Sequence, residues 1–192
     1  MRLILGSASA IRRFMLDAAG VEFSVVAADI DEGALKDGGS PADLAQRLAD
    51  AKALAVADGQ PGAWVIGSDS LVSVDGRRFD KPTSRAQAAE HLRFFSGKQM
   101  ELTSAVALVT DGRVDWRHAS SARLQVRALS DAFIASYLDA EWPEVGYCVG
   151  VFRLEGRGVQ LFETIDGDHF TILGMPLLPL LGALRARGLI AQ

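Results

Sequence analysis

The sequence predicts an α/β domain built on a mixed central sheet. Strand-like and helix-like segments alternate through the first half of the chain, and strands then cluster around two Asp-Gly turns, Asp75-Gly76 and Asp111-Gly112. The 192 residues are 49% hydrophobic and 23% charged, the balance of a compact globule rather than a disordered chain. That length suits one large domain or two lobes around a shared core.

Each element has its own signal. Arg2 to Gly6 is a short strand, followed by the small-residue loop Ser7-Ala8-Ser9-Ala10 and a helix from Ile11 to Ala19, ended by Gly20. Val21 to Val26 is rich in β-branched and aromatic residues and reads as a strand. Asp29 to Gly39, acidic and glycine-containing, is a loop. Ser40-Pro41 starts a helix with Ser as N-cap and Pro at the first turn, and Leu44, Leu48, Ala51 and Ala55 form its apolar stripe. Lys52 stands at the edge of that stripe, where its stem packs and its amine reaches outward.

Trp64 to Gly67 is an apolar strand end, followed by Ser68-Asp69-Ser70 and a hairpin from Leu71 to Phe79. Ser84 and Gln87 form a capping-box pattern for a helix that turns Ala88, Leu92 and Phe95 inward. Thr103 to Val109 and Val114 to Val126 pair as strands, and Ser130 opens a helix to about Leu138. A strand from Val159 to Ile165 and a helix from Leu177 to Arg187 close the chain.

Composition excludes several classes of function. The net charge of −4 argues against broad, charge-driven binding to nucleic acid. The apolar run Met175 to Leu184 is too short to span a bilayer and is broken by Pro176 and Pro179, so no membrane association is expected. Arg12 and Arg13 interrupt any secretory signal, and the single cysteine, Cys148, excludes an internal disulfide; both point to the cytoplasm. Ser96-Gly97-Lys98 lacks the first glycine of a phosphate loop, no HExxH occurs, and G-x-S-x-G is absent.

What remains is a set of short polar motifs. A strand, the hydroxyls Ser7 and Ser9, and a helix opening with Arg12 and Arg13 make an anion site or a capped surface helix. Asp69, just past an apolar strand, is placed to hold a metal, to take a proton from water, or simply to satisfy a turn. Lys81 precedes Pro82, which biases it towards an extended backbone. Glu155 lies between Arg153 and Arg157, a pattern usually seen as a surface ion pair.

Taken in order, these motifs resemble the Maf family of nucleoside triphosphate pyrophosphatases. The resemblance spans nearly the whole chain. It rests on Leu5-Gly6-Ser7-Ala8-Ser9 with Arg12-Arg13, Asp31-Glu32, Arg47 with Lys52, Ile66-Gly67-Ser68-Asp69, Lys81-Pro82, Ser96-Gly97, Glu155-Gly156 and Gly174-Met175-Pro176-Leu177. It implies a single Maf-like domain over 1–192, with two lobes around a nucleotide cleft as in ITPase-like folds. It further implies a divalent metal (Mg²⁺ or Mn²⁺), cleavage of NTPs to NMP plus pyrophosphate, a house-cleaning role in nucleotide metabolism, and a cytoplasmic homodimer.

On this resemblance Asp69 is the expected general base, with Glu32 and Asp69 holding the metal. Ser7, Arg12, Arg13, Lys52 and Lys81 are the expected phosphate ligands. Three positions bear on the base. Family members acting on dTTP and UTP show S-P-R-R, G-A-D-T and I-Q-G, whereas those acting on 7-methyl-GTP show S-P-W-R-R, G-S-D-Q and C-A-G-x-F-K-x-E-G. This chain has Ser9-Ala10-Ile11-Arg12-Arg13, Gly67-Ser68-Asp69-Ser70 and Cys148-Val149-Gly150-Val151-Phe152-Arg153-Leu154-Glu155-Gly156. Ile11 and Ser70 match neither pattern, and Glu155 matches the second.

A carboxylate complements the paired donors of guanine and the positive charge of an N7-methylated base, whereas a glutamine amide suits uracil or thymine. A hydrogen bond to a charged group contributes about 1.5–3 kcal/mol, against roughly 0.5–2 kcal/mol for the cation–π contact that Ile11 forgoes. The sequence therefore leans towards a modified purine. Its alternatives are a dTTP/UTP pyrophosphatase and a nucleotide-binding regulator of cell division with weak catalysis.

Overall fold

A computed structural model describes residues 1–35 and 38–191. Positions 36 and 37, within the loop expected from Asp29 to Gly39, lie outside the described residues. The fold is α/β on a mixed seven-stranded sheet, in the order β2-β1-β3-β5-β6-β7 with β4 beside β3. The strands are β1 (Arg2–Leu5), β2 (Ser24–Val25), β3 (Ala63–Val74), β4 (Arg77–Phe79), β5 (Gln99–Thr110), β6 (Arg113–Val126) and β7 (Phe162–Asp166). The helices are α1 (Ala10–Ala18), α2 (Pro41–Asp58), α3 (Arg85–Phe95), α4 (Asp131–Glu141), α5 (His169–Leu173) and α6 (Leu177–Ala186).

The chain divides into two compact units. The first comprises Met1–Ser70, Thr103–Ser121 and Asp168–Gln192. Here β1 pairs in parallel with β2 (Leu5↔Val25) and with β3 (Leu5↔Ile66), as strands joined by helical crossovers do. Leu3, Leu5, Leu16, Ile66, Val106, Leu108, Leu180 and Leu184 form its core. The α2 start is a full capping box: Ser40 Oγ accepts from the Asp43 N–H, and Asp43 accepts from the Ser40 N–H. Along α2 the buried stripe runs through Leu44, Leu48, Ala49, Ala53 and Val56, and Ala55 is exposed, so the apolar face is rotated from the one read in the sequence. Alanine populates both faces of this helix and so marks neither.

The second unit comprises Leu71–Leu102 and Ala122–Gly167. Its hairpin β3–β4 turns at Asp75 (φ 52°) and Gly76 (φ 71°), the left-handed pair that a tight two-residue turn requires. Phe79 meets Phe95 edge to face at 4.7 Å, and Leu124 of β6 opposes Ile165 of β7. Ser84 caps α3 through the Gln87 N–H, but the Gln87 side chain accepts from Thr83 rather than Ser84, so the capping box there is half formed. The strand expected from Val159 to Ile165 is a 3₁₀ turn over Arg157–Leu161, with β7 beginning only at Phe162. Gly158 explains the difference: a Cβ there would stand 2.4 Å from the Arg153 carbonyl oxygen, so the chain folds back on itself.

Candidate functional site

The strand β3 continues through Ser68-Asp69-Ser70 instead of ending at Gly67. Asp69 therefore lies within a buried strand, beyond the last residue paired with β1. Ser and Asp favour turns in isolation, but burial between neighbouring strands overrides that preference here.

Side chains alternate along a strand, which assigns the faces of β3. Gly67 and Asp69 share one face and Ser68 and Ser70 the other. A Cβ on Gly67 would lie 2.1 Å from the Ala49 carbonyl oxygen and 2.7 Å from the Ala53 nitrogen, so α2 rests directly on the strand at this glycine. Lys52, between those alanines, is thereby delivered to Asp69. Its Nζ donates to Asp69 Oδ1 at 2.5 Å and lies 2.8 Å from Glu32 Oε1. The Lys52 side chain is 14% exposed, Asp69 11% and Glu32 42%, so the cluster opens towards solvent on the Glu32 side.

On the other face Arg12 is buried by α1 and gathers three strands of chain. Its Nε donates to the Gly174 carbonyl (2.8 Å), Nη1 to the Ser68 carbonyl (2.9 Å) and Nη2 to Ser70 Oγ (3.0 Å). A longer bond of 3.4 Å reaches Ser7 Oγ, which also accepts from the Ser9 N–H. A guanidinium has five N–H donors, so one on Nη2 remains for a ligand. Burial lowers the Arg12 pKa, and the charges of Asp69 and Glu32 oppose that shift.

Gly174 holds φ 109° at the end of α5 and presents its carbonyl also to Ser68 Oγ (3.1 Å) and Ser70 Oγ (3.1 Å). Ser104 Oγ bonds to Ser70 Oγ (2.8 Å) and donates to the Thr171 carbonyl (2.8 Å), and Thr171 is fixed in turn by Asp168, the N-cap of α5. The sequence reading missed Asp168, Thr171, Ser104 and the Gly174 carbonyl as supports. The spacing Asp168-x-x-Thr171 is the cap signal that could have found the first two.

Five of the expected residues thus fall into two sets within the first unit: Lys52 holds Glu32 and Asp69, Arg12 holds Ser7 and Ser70, and the charges of Asp69 and Glu32 act on Arg12. Ile11 is half-buried on α1. Arg13 is exposed and lies 3.6 Å from Asp17, one turn along the same helix. Arg47 donates to the Gly38 carbonyl at 2.6 Å. Lys81 and Glu155 belong to the second unit and are exposed. Arg153 pairs with the buried Glu141 at 3.0 Å, so the ion pair read around Glu155 forms with a different acid. Burial, then the charge of Glu155, pushes the Cys148 thiol up to about 11, which keeps it protonated and inert.

Two carboxylates meeting at one cationic point suit a hard divalent ion, and Mg²⁺ is typically held by one or two carboxylates together with substrate phosphates. Glu32 and Asp69 therefore fit such an ion. Among the described residues no group of three or more His, Cys, Asp and Glu side chains offers an alternative, and no helix is long and apolar enough to cross a membrane.

Residues 2–187 match the family described as Maf-like protein. The chain is 50% identical over 193 residues to a 7-methyl-GTP pyrophosphatase of Rhizobium meliloti, covering 98% of this chain and 97% of that one. It is 47% identical over 192 residues to a nucleoside triphosphate pyrophosphatase of Bradyrhizobium diazoefficiens, covering 98% and 95%. It is 46% identical over 190 residues to a 7-methyl-GTP pyrophosphatase of Brucella suis, covering 96% of each.

Proposed function

The chain belongs to the Maf family, and from that premise we propose that it is a hydrolase that cleaves a nucleoside triphosphate to the monophosphate and pyrophosphate. The observation that carries the reading is the cluster Asp69–Lys52–Glu32, set beside the buried Arg12 and Ser7. Relatives 46–50% identical over nearly their whole length bear the names of that activity.

Water attacks the α-phosphorus, forming a new P–O bond as the bond to the β-phosphate oxygen breaks and pyrophosphate leaves. Asp69 accepts the proton of that water on a carboxylate oxygen. Lys52 through its ammonium, and Arg12 through its remaining Nη2 hydrogen, bind phosphate oxygens. Ser7 contributes a hydroxyl at the start of α1. Lys81 adds a second ammonium and Arg13 an outer positive charge. Glu32 and Asp69 would hold a divalent ion, which would supply neutralisation of phosphate charge and orientation of the leaving group. Most of the acceleration is positioning and electrostatics, because the protein forms no covalent bond to the substrate.

Glu155 favours a 7-methylated guanine base, the substrate class named for two of the relatives. The same proposal takes the working protein as a cytoplasmic homodimer. Asp69→Asn tests the chemistry: pyrophosphate release should fall by about 10²–10⁴-fold with the circular dichroism spectrum unchanged. Near-normal turnover in that variant sinks the assignment of the base. A panel of 7-methyl-GTP, dTTP, UTP and the common NTPs, with Mg²⁺ or Mn²⁺ present or removed by chelator, tests substrate class and metal dependence together.

A further inference from the structure

Glu32 and Asp69, the two carboxylates that would hold a divalent ion, already face a cation. The Lys52 ammonium lies 2.5 Å from Asp69 Oδ1 and 2.8 Å from Glu32 Oε1, on a side chain only 14% exposed. We propose that Lys52 is a built-in competitor for the metal: it holds the two carboxylates together in the nucleotide-free protein and releases them when phosphates arrive. This rests on the pyrophosphatase reading only for the identity of the incoming anion.

The argument is electrostatic. Two carboxylates this close repel one another unless a positive charge stands between them. An ammonium and a divalent ion cannot both take that position, since like charges a few ångströms apart in a partly dry site oppose each other by several kcal/mol. The ammonium has a flexible four-carbon stem and three donors, two of them directed at the carboxylates. A polyphosphate offers it equivalent acceptors a short swing away. Once the ammonium turns to a phosphate oxygen, the carboxylates are left with uncompensated charge and attract the divalent ion, itself already partnered by the same phosphates. Metal and nucleotide therefore enter together, and the nucleotide-free protein holds the metal weakly. The buried Arg12 adds to the effect, because its positive charge acts on Asp69 and Glu32 whatever Lys52 does.

The test is Mn²⁺ binding to the nucleotide-free protein, read from the electron paramagnetic resonance signal of free Mn²⁺. Lys52→Met removes the ammonium and keeps most of the stem; Lys52→Gln is a second neutral variant should the first fold poorly. Both should bind Mn²⁺ about tenfold more tightly than the wild type, or better. Adding Asp69→Asn to either should abolish the gain. Equal affinity in wild type and neutral variants overturns the proposal, as does a gain that survives Asp69→Asn. Failure of the activity reading looks different: the wild type would release no pyrophosphate from any nucleotide while the Mn²⁺ competition persisted.

Discussion

At the scale of single residues, Arg12 separates what residue type announces from what geometry allows. Its place after a small-residue loop marks it as an anion ligand, yet most of its donors go to the Gly174 and Ser68 carbonyls and to Ser70 Oγ. It joins the first loop, the β3 strand and the turn after α5, and keeps one Nη2 hydrogen for a ligand. Lysine has the same charge but donates from a single atom and cannot reach three diverging acceptors. Arg12→Lys should therefore cost about 1–3 kcal/mol of stability, by leaving buried carbonyls unpaired. It should also raise KM for every nucleotide alike, because the loop bearing Ser7 loses its anchor. Urea unfolding and a KM series check both halves, and a variant with unchanged midpoint and KM would show that the clamp is incidental. That Arg12 is a candidate anion ligand was legible in the sequence. Its acceptors were not, because two of them are backbone carbonyls, and Gly174 lies 162 positions away in the chain.

At the scale of elements, the strands and helices near sharp local signals were readable: the Ser40-Pro41 start of α2, the Asp75-Gly76 and Asp111-Gly112 turns, and the Ser130 cap of α4. Elements fixed by tertiary contact were not, such as the run of β3 through Asp69 and the 3₁₀ turn enforced at Gly158. Gly67 shows how an element sets the site. It has no positive φ and no turn to make; it is glycine because α2 lies on it. Gly67→Ala would push its methyl group against the backbone at Ala49 and Ala53, which cannot yield as a side-chain tip can. A cost of about 1–3 kcal/mol or more follows. The displaced helix carries Lys52 away from Asp69, so kcat should fall further than the lost folded fraction accounts for. Comparing kcat per folded molecule at a temperature well below the melting midpoint separates the two effects. Activity that merely tracks the folded fraction would leave α2 with no role in aligning Lys52.

At the scale of the whole molecule, the candidate residues are divided between the two compact units. Ser7, Arg12, Glu32, Lys52 and Asp69 all belong to the first, and Lys81 and Glu155 to the second. In the proposed reading the first group meets what any triphosphate brings: negative oxygens, a divalent ion and a water to deprotonate. In the same reading Glu155 distinguishes bases, since an acceptor-only side chain matches the adjacent donors of guanine and is repelled by the carbonyls of uracil and thymine. The two kinds of residue should then fail differently. Asp69→Asn should lower turnover for every nucleotide. Glu155→Gln should lower kcat/KM for 7-methyl-GTP by about tenfold to a hundredfold, the worth of a charged hydrogen bond. It should leave dTTP and UTP unchanged or improved, because the amide can both donate and accept. Glu155 is exposed and sits in a turn rather than in the core, so the substitution should leave stability intact and its effect can be read as recognition alone. A uniform loss across purines and pyrimidines would move Glu155 from reading the base to general support of the site. An unchanged ratio of 7-methyl-GTP to UTP activity would remove it from specificity altogether, leaving Ile11 and Ser70 as the positions to substitute next.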